Sequence, residues 1–225
     1  MILAQETTHH IRISKCNKNG LVAIKVDMSK IFDRNIWDFV IAVLKKLNFP
    51  DHWLNLVFKC LSSVKYSVLV NGHTSNVLTP SCGVRQGDPL SPILFSICTE
   101  ALLASLIIAM NNKDIKGVSI ARNDPPLTHL LFADDSSFFL NLDLKSISVF
   151  VDTLSSYYKD SGQIINNDKS QIFFSPFTPT FAKNRTISTI NVKESNGFGK
   201  YLGIPLDITI NRKQIFVDII DKIKK

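Results

Sequence analysis

The 225-residue chain is long enough for one large domain or a core with a small appendage, and its 45% hydrophobic and 20% charged content excludes a disordered or fibrous chain. The net charge of +7 points to a polyanionic partner, nucleic acid ahead of an anionic membrane surface. Cys16, Cys60, Cys82 and Cys98 form no C-x-x-C pair, so reduced thiols in an intracellular protein, nuclear or cytoplasmic, are expected rather than a zinc site or a disulfide framework. Residues 1–6 lack the basic and apolar regions of a signal peptide.

In chain order, residues 5–14 suit a helix with Ile11 and Ile13 facing inward, and residues 17–20 a turn. Residues 21–27 are apolar and β-branched and end on Asp27, a strand with an acid at its end. A connecting turn over 28–33 precedes an amphipathic helix over 35–47, and Asp51 caps a second helix running to Cys60. Residues 66–70 alternate as a strand, Asn71-Gly72 signals a hairpin, and residues 75–78 return.

The loop 81–92 is rich in Gly and Pro. Gly83 and Gly87 there allow backbone to approach a ligand, and Arg85 and Gln86 offer donors to a phosphate or a base edge. Residues 93–110 form a long apolar helix, with Ser91 as N-cap and Pro92 at the first helical position. Glu100 near its middle is costly in lipid, so it reads as a buried helix of a soluble protein. A short strand over 116–120 and a turn over 122–126 follow.

Two apolar, Phe-containing runs then flank Asp134-Asp135, the turn of a second hairpin. An amphipathic helix spans 144–158, a break 161–166 and a strand 171–174. Residues 176–197 are polar, residues 198–205 form a tight β-turn element, and residues 215–223 start a further helix.

This order is α+β, a ferredoxin-like βαββαβ core with additions. In that topology the first strand lies beside the central hairpin, so Asp27 meets Asp134 and Asp135. Three carboxylates converging in a basic protein suit two-metal phosphoryl transfer. A receiver-like phosphoacceptor domain also uses strand-end acids, but that fold alternates strands and helices without hairpins.

The motifs resemble the reverse transcriptases of non-LTR, LINE-type retrotransposons, particularly those of plants. The resemblance is carried by residues 26–34 around Asp27, by Gly83-Val84-Arg85-Gln86-Gly87-Asp88-Pro89-Leu90-Ser91-Pro92, and by Phe132-Ala133-Asp134-Asp135. Ser161-Gly162-Gln163 through Lys169-Ser170, and Lys200-Tyr201-Leu202-Gly203, follow in the family's order. It implies a polymerase palm with partial fingers. Asp27, Asp134 and Asp135 would bind magnesium, with manganese as an alternative. Lys169 would protonate the departing pyrophosphate. Phe32 would lie under the incoming sugar, Arg85, Gln86 and Gly87 would contact nucleotide and template, and Tyr201-Leu202-Gly203 would grip the primer.

The implied partners are an RNA template, a DNA primer and dNTPs, with no membrane and no protein partner. The implied division is an N-terminal remnant of the fingers over 1–20, palm with partial fingers over 21–175, and primer-grip region with the start of a truncated thumb over 176–225. One departure is Ile31, where the family carries a small residue. With the truncation, it sets up the alternative of a catalytically inactive, retrotransposon-derived remnant that binds nucleic acid at most.

Overall fold

A computed structural model describes residues 2–15, 20–132, 135–201 and 204–206. These separate into two compact units. One takes in residues 1–27, 106–152 and 165–225, the other residues 28–105 and 153–164.

The first unit is built on a sheet. Its strands are β1 (Leu21–Val26), β4 (His129–Phe132), β5 (Asp135–Asn141), β6 (Gln171–Phe174) and β7 (Lys193–Glu194), in the order β4-β5-β1-β6-β7. β1, β4, β5 and β6 are mutually antiparallel neighbours, the ferredoxin-like arrangement, and β7 adds parallel to β6. β1 is apolar on nearly every residue because both sheet faces are covered. Leu21 and Ala23 pack with Phe139, Phe173 and Ile11 on one face. On the other, Val22, Ile24 and Val26 are fully buried, and the Phe138 ring meets Phe150 at 4.9 Å.

Helix α1 (Ile2–Ile13) covers part of the first face. Its inward stripe is Ala4, Thr7, Thr8 and Ile11, the i, i+3, i+4, i+7 set, and Ile13 is exposed rather than inward. The two threonines are tolerated there because their hydroxyls donate to Leu3 O and Ala4 O, each at 2.7 Å.

The same unit departs from expectation at three places. The strand over 116–120 reduces to one bridge, Val118 to Leu127. The polar stretch 176–197 holds helix α7 (Thr180–Ile190), whose buried face is only Thr186 and Ile190, too narrow a stripe to show as amphipathic. Asn191, in the left-handed region at φ 56°, ends it. The tight-turn element is present as β8 (Lys200–Tyr201) paired with β9 (Ile204–Pro205). The helix expected over 215–223 lies outside the described residues.

The second unit is mainly helical. The connecting turn contains a short helix, α2 (Ile31–Arg34), then come α3 (Trp37–Lys46) and α4 (Asp51–Ser62). Val40 and Leu44 of α3 and Leu54 and Leu61 of α4 fill its core with Val84, Leu94 and Cys98. Pro50, not Asp51, is the N-cap of α4, and Asp51 sits in the first turn, where its charge favours the helix N-terminus. The hairpin of β2 (Leu69–Val70) and β3 (His73–Thr74) turns at Asn71 and Gly72, both at positive φ.

Helices α5 (Leu90–Asn111) and α6 (Leu144–Ser161) contribute residues to both units. α5 begins before Ser91. The Asp88 carboxylate accepts the Leu90 N–H at 2.8 Å, and the Ser91 hydroxyl donates back to Arg85 O at 2.6 Å. α5 has the length and apolarity of a membrane span, yet Leu94, Phe95, Cys98, Leu102, Leu106 and Ala109 form a buried stripe. It is not buried all round, since Ile93, Ile107 and Ile108 are exposed.

Candidate active site

In the first unit, Val26 pairs with Ser136, and continuing that register sets Asp27 opposite Asp135. Asp27 is fastened through its backbone. Its N–H donates to Ser170 Oγ at 3.0 Å and its carbonyl accepts the Asn166 N–H at 2.8 Å. The 166–170 turn therefore holds the end of β1. Lys169 is on that turn, exposed, with its N–H donated to Asn166 O.

Asp135 opens β5 and makes an ion pair with Lys25, Nζ to Oδ1 3.1 Å. Tyr201 of β8 is buried in the cluster on the Ala23 face of the sheet. Burial, and after it the negative charge of Asp135, pushes its phenol above the usual tyrosine range. Asp27, Asp135, Lys169 and Tyr201 thus share one unit. Asp134, Leu202 and Gly203 lie outside the described residues.

Phe32, Arg85, Gln86 and Gly87 belong to the second unit. There the 83–88 loop is fastened to α2. The Val84 N–H donates to Phe32 O, the Gly83 N–H to Asn35 O at 2.8 Å, and Trp37 Nε1 to Gly83 O at 2.7 Å. Gly83 stands at φ +88°, and a Cβ on it would lie 2.7 Å from Asp33 O. Its missing side chain serves that close approach to Asp33 backbone. Gly87, at φ +84°, faces open space.

The Gln86 amide donates to Asp33 Oδ1 at 3.0 Å. Phe32 is half-buried with its ring 6.0 Å from that of Phe95. Asp33, Cys60, Tyr66, Cys82, Arg85 and Asp88 are among the residues lining a cavity of about 240 Å³ in this unit.

Gln163 ends the Ser161-Gly162-Gln163 motif, and its role here is structural. It is buried, and its amide donates to Ile31 O at 2.9 Å and to Asn35 Oδ1. Gly162 before it allows the chain against Arg34 O, which a Cβ would meet at 2.5 Å. The Ser161-Gly162-Gln163 motif is therefore a strut under α2. Lys25 belongs to none of the motifs. Its signal was a charge inside an otherwise apolar strand, two residues before Asp27 and so on the same face.

Among the described residues no group of three or more metal-ligating side chains comes together. Asp27 and Asp135, carboxylates at opposed register positions, do fit a hard dication, which takes oxygen ligands and few carboxylates.

A ferredoxin-like antiparallel sheet, with acids at the adjacent ends of β1 and β5, has the form of a polymerase palm. The reverse transcriptase (RNA-dependent DNA polymerase) family profile matches residues 2–206, and the chain belongs to that family. It is 24% identical to a Pol polyprotein of the R2 retrotransposable element of Popillia japonica over 208 residues, 89% of this chain and 33% of that one. It is 26% identical to a probable RNA-directed DNA polymerase from transposon BS of Drosophila melanogaster, over 89% of this chain and 21% of that one. An uncharacterized mitochondrial protein of Arabidopsis thaliana is 46% identical over 69 residues, 31% of this chain and 57% of that protein.

The chain thus spans about a third of the R2 polyprotein and just over half of the Arabidopsis protein. The kinship with non-LTR retrotransposon Pol proteins expected from the motifs is met. Among solved structures, apo telomerase from Candida tropicalis superposes with a TM-score of 0.56 at 14% identity, covering 78% of this chain and 34% of that one. Telomerase from Candida albicans gives 0.55 at 15%, covering 76% and 30%. These likenesses concern the fold.

Proposed function

We propose that this chain is the palm of an RNA-directed DNA polymerase that adds dNTPs to a DNA primer 3′-OH on an RNA template. The observation that carries the reading is the β1–β5 register, whose last pair, Val26 with Ser136, brings the next residues, Asp27 and Asp135, to the same end of the sheet. Asp27 and Asp135, with Asp134, would hold the divalent ions, magnesium or manganese. When bound, the ions neutralise charge at the reacting phosphate and lower the pKa of the primer hydroxyl.

The chain's own groups do the rest. Lys169 supplies a proton to the departing pyrophosphate. Arg85, Gln86 and Gly87 hold nucleotide and template, with Gln86 steadied by Asp33. Phe32, backed by Phe95, forms the floor under the incoming sugar. Tyr201, Leu202 and Gly203 position the primer end. The net charge of +7 favours binding to the polyanionic duplex. The assignment of 1–20 and part of 21–175 to the fingers, of 176–225 to primer grip and thumb, and of the protein to the nucleus or cytoplasm belongs to the same proposal.

The test is primer extension on poly(rA)–oligo(dT) with Mg²⁺, beside a chain carrying Asp134→Ala and Asp135→Ala. Incorporation that disappears in the double variant is expected. A folded wild-type chain that incorporates nothing overturns the reading. Ile31 favours a second reading, a palm that binds nucleic acid without catalysis. Its branched side chain is half-buried at the start of α2, next to Phe32, where a crowded sugar would slow the reaction. Under that reading Ile31→Ala restores incorporation.

A further inference from the structure

Lys25 is the one charged residue of β1, and strand alternation places it on the face that carries Ala23. Directly across from it stands Ser137, and Asp135 is two residues further along β5 toward the acid end. Both side chains of the Lys25–Asp135 pair are largely withdrawn from water, 19% and 28% exposed, so the pair is less screened than one on the surface. Ser137, opposite Lys25, is fully buried, as is Phe139 beyond it, and Tyr201 packs in the cluster of Phe139. An ammonium placed this way is not a solvated surface charge. It is a fixed cation within the acid end of the sheet, aimed at one of its carboxylates.

A lysine here has two effects on a dication. It removes one negative charge from the local sum, and it ties Asp135 toward β1 instead of leaving it free to ligate. Both effects lower the affinity of Asp27 and its neighbours for the metal. Both also keep the acids from repelling one another when no metal is there. We propose that Lys25 is a positioning residue that orients Asp135 through their ion pair and sets the divalent-metal affinity of the acidic site. The inference rests on the polymerase reading for its site, but it makes a claim about binding that does not require turnover.

The test is Mn²⁺ titration of the full 225-residue chain, with free ion followed by electron paramagnetic resonance and folding followed by circular dichroism. Lys25→Met keeps the length of the buried stem and removes the charge. It should tighten Mn²⁺ binding by at least about fivefold, the bulk-water limit for losing one positive charge about 8 Å from a dication. Lys25→Arg should restore wild-type affinity. In an Asp135→Asn background the Lys25→Met step should shrink to less than half. Where primer extension is measurable, Lys25→Met should lower kcat with the KM for dNTP little changed, so metal binding and turnover move in opposite directions.

Distortion of the sheet would weaken both, and a Lys25→Met chain that binds Mn²⁺ more weakly or equally overturns the proposal. So does a Lys25→Met effect of the same size with and without Asp135. Wild-type Mn²⁺ uptake that is lost in Asp27→Asn but indifferent to Lys25→Met overturns this inference and leaves the polymerase reading standing. Absence of any uptake by the wild-type chain overturns both.

Discussion

The hydroxyl of Ser170 accepts the backbone N–H of Asp27 at 3.0 Å, across 143 residues of chain. This bond fixes the end of β1 at the point where its acid emerges. Ser170 is 1% exposed, so no water replaces it readily. Ser170→Ala should leave the Asp27 N–H without its partner and cost about 1–2 kcal/mol. Urea denaturation measures the cost. Primer extension should fall as well, because the acid is no longer held. A variant with wild-type stability and activity would show that the bond contributes nothing.

Two glycines of one loop should respond differently to alanine. Both have positive φ, which an L residue adopts at a cost of about 1–2 kcal/mol. Gly87→Ala meets nothing within 4 Å and should cost only that backbone strain. Gly83→Ala also drives a Cβ to 2.7 Å from Asp33 O, so the loop must shift. It should cost about 1–3 kcal/mol more and loosen the Gln86–Asp33 hydrogen bond. Thermal unfolding of the two variants side by side tests the ranking, and equal losses would refute it.

Much of this architecture was legible in residue pattern. The apolar β-branched run of β1, the Asn71-Gly72 turn and the hairpin around Asp134-Asp135 each announce their own local geometry, and their order specifies a ferredoxin-like sheet. What escaped was set by tertiary contact. Helix α7 buries so little that no stripe marks it. Asp88 takes the capping role assigned to Ser91 because its carboxylate reaches the Leu90 N–H first. Gly83 also accommodates Asp33, about 50 residues earlier in the chain, a contact that no local pattern announces. The Lys25–Asp135 pair required the strand register, and register is a long-range property.

Thiol reactivity should divide by burial. Cys60 and Cys82 are exposed, whereas Cys98 is fully buried in the helical unit and burial pushes its thiol up to about 12. The thiolate is the reactive species, so Cys98 should resist iodoacetamide at neutral pH while Cys60 and Cys82 are modified. Peptide mapping after brief alkylation tests this, with urea-unfolded protein as the reference. Cys98 labelled as fast as Cys60 in the folded chain would contradict the packing of α5.

Asp143 caps α6 and should make stability depend on acid pH. Its Oδ1 accepts the Ser146 N–H at 2.8 Å, and its Oδ2 accepts the Ser146 hydroxyl at 2.9 Å. Burial raises its pKa, but the Ser146 bonds and the Lys116 charge outweigh that, and the net direction is downward from 3.8. A carboxyl whose pKa is depressed by folding stabilises the fold above its ordinary value and loses that contribution as pH falls through the folded value. Asp143→Ala should therefore cost about 1 kcal/mol at pH 7, the usual worth of an N-cap. Asp143→Asn, which still accepts the Ser146 N–H, should cost less. The gap between wild type and either variant should narrow as pH drops below 3.8. Urea midpoints measured from pH 7 down to pH 3 test the sign, and a gap that widens on acidification would reverse it.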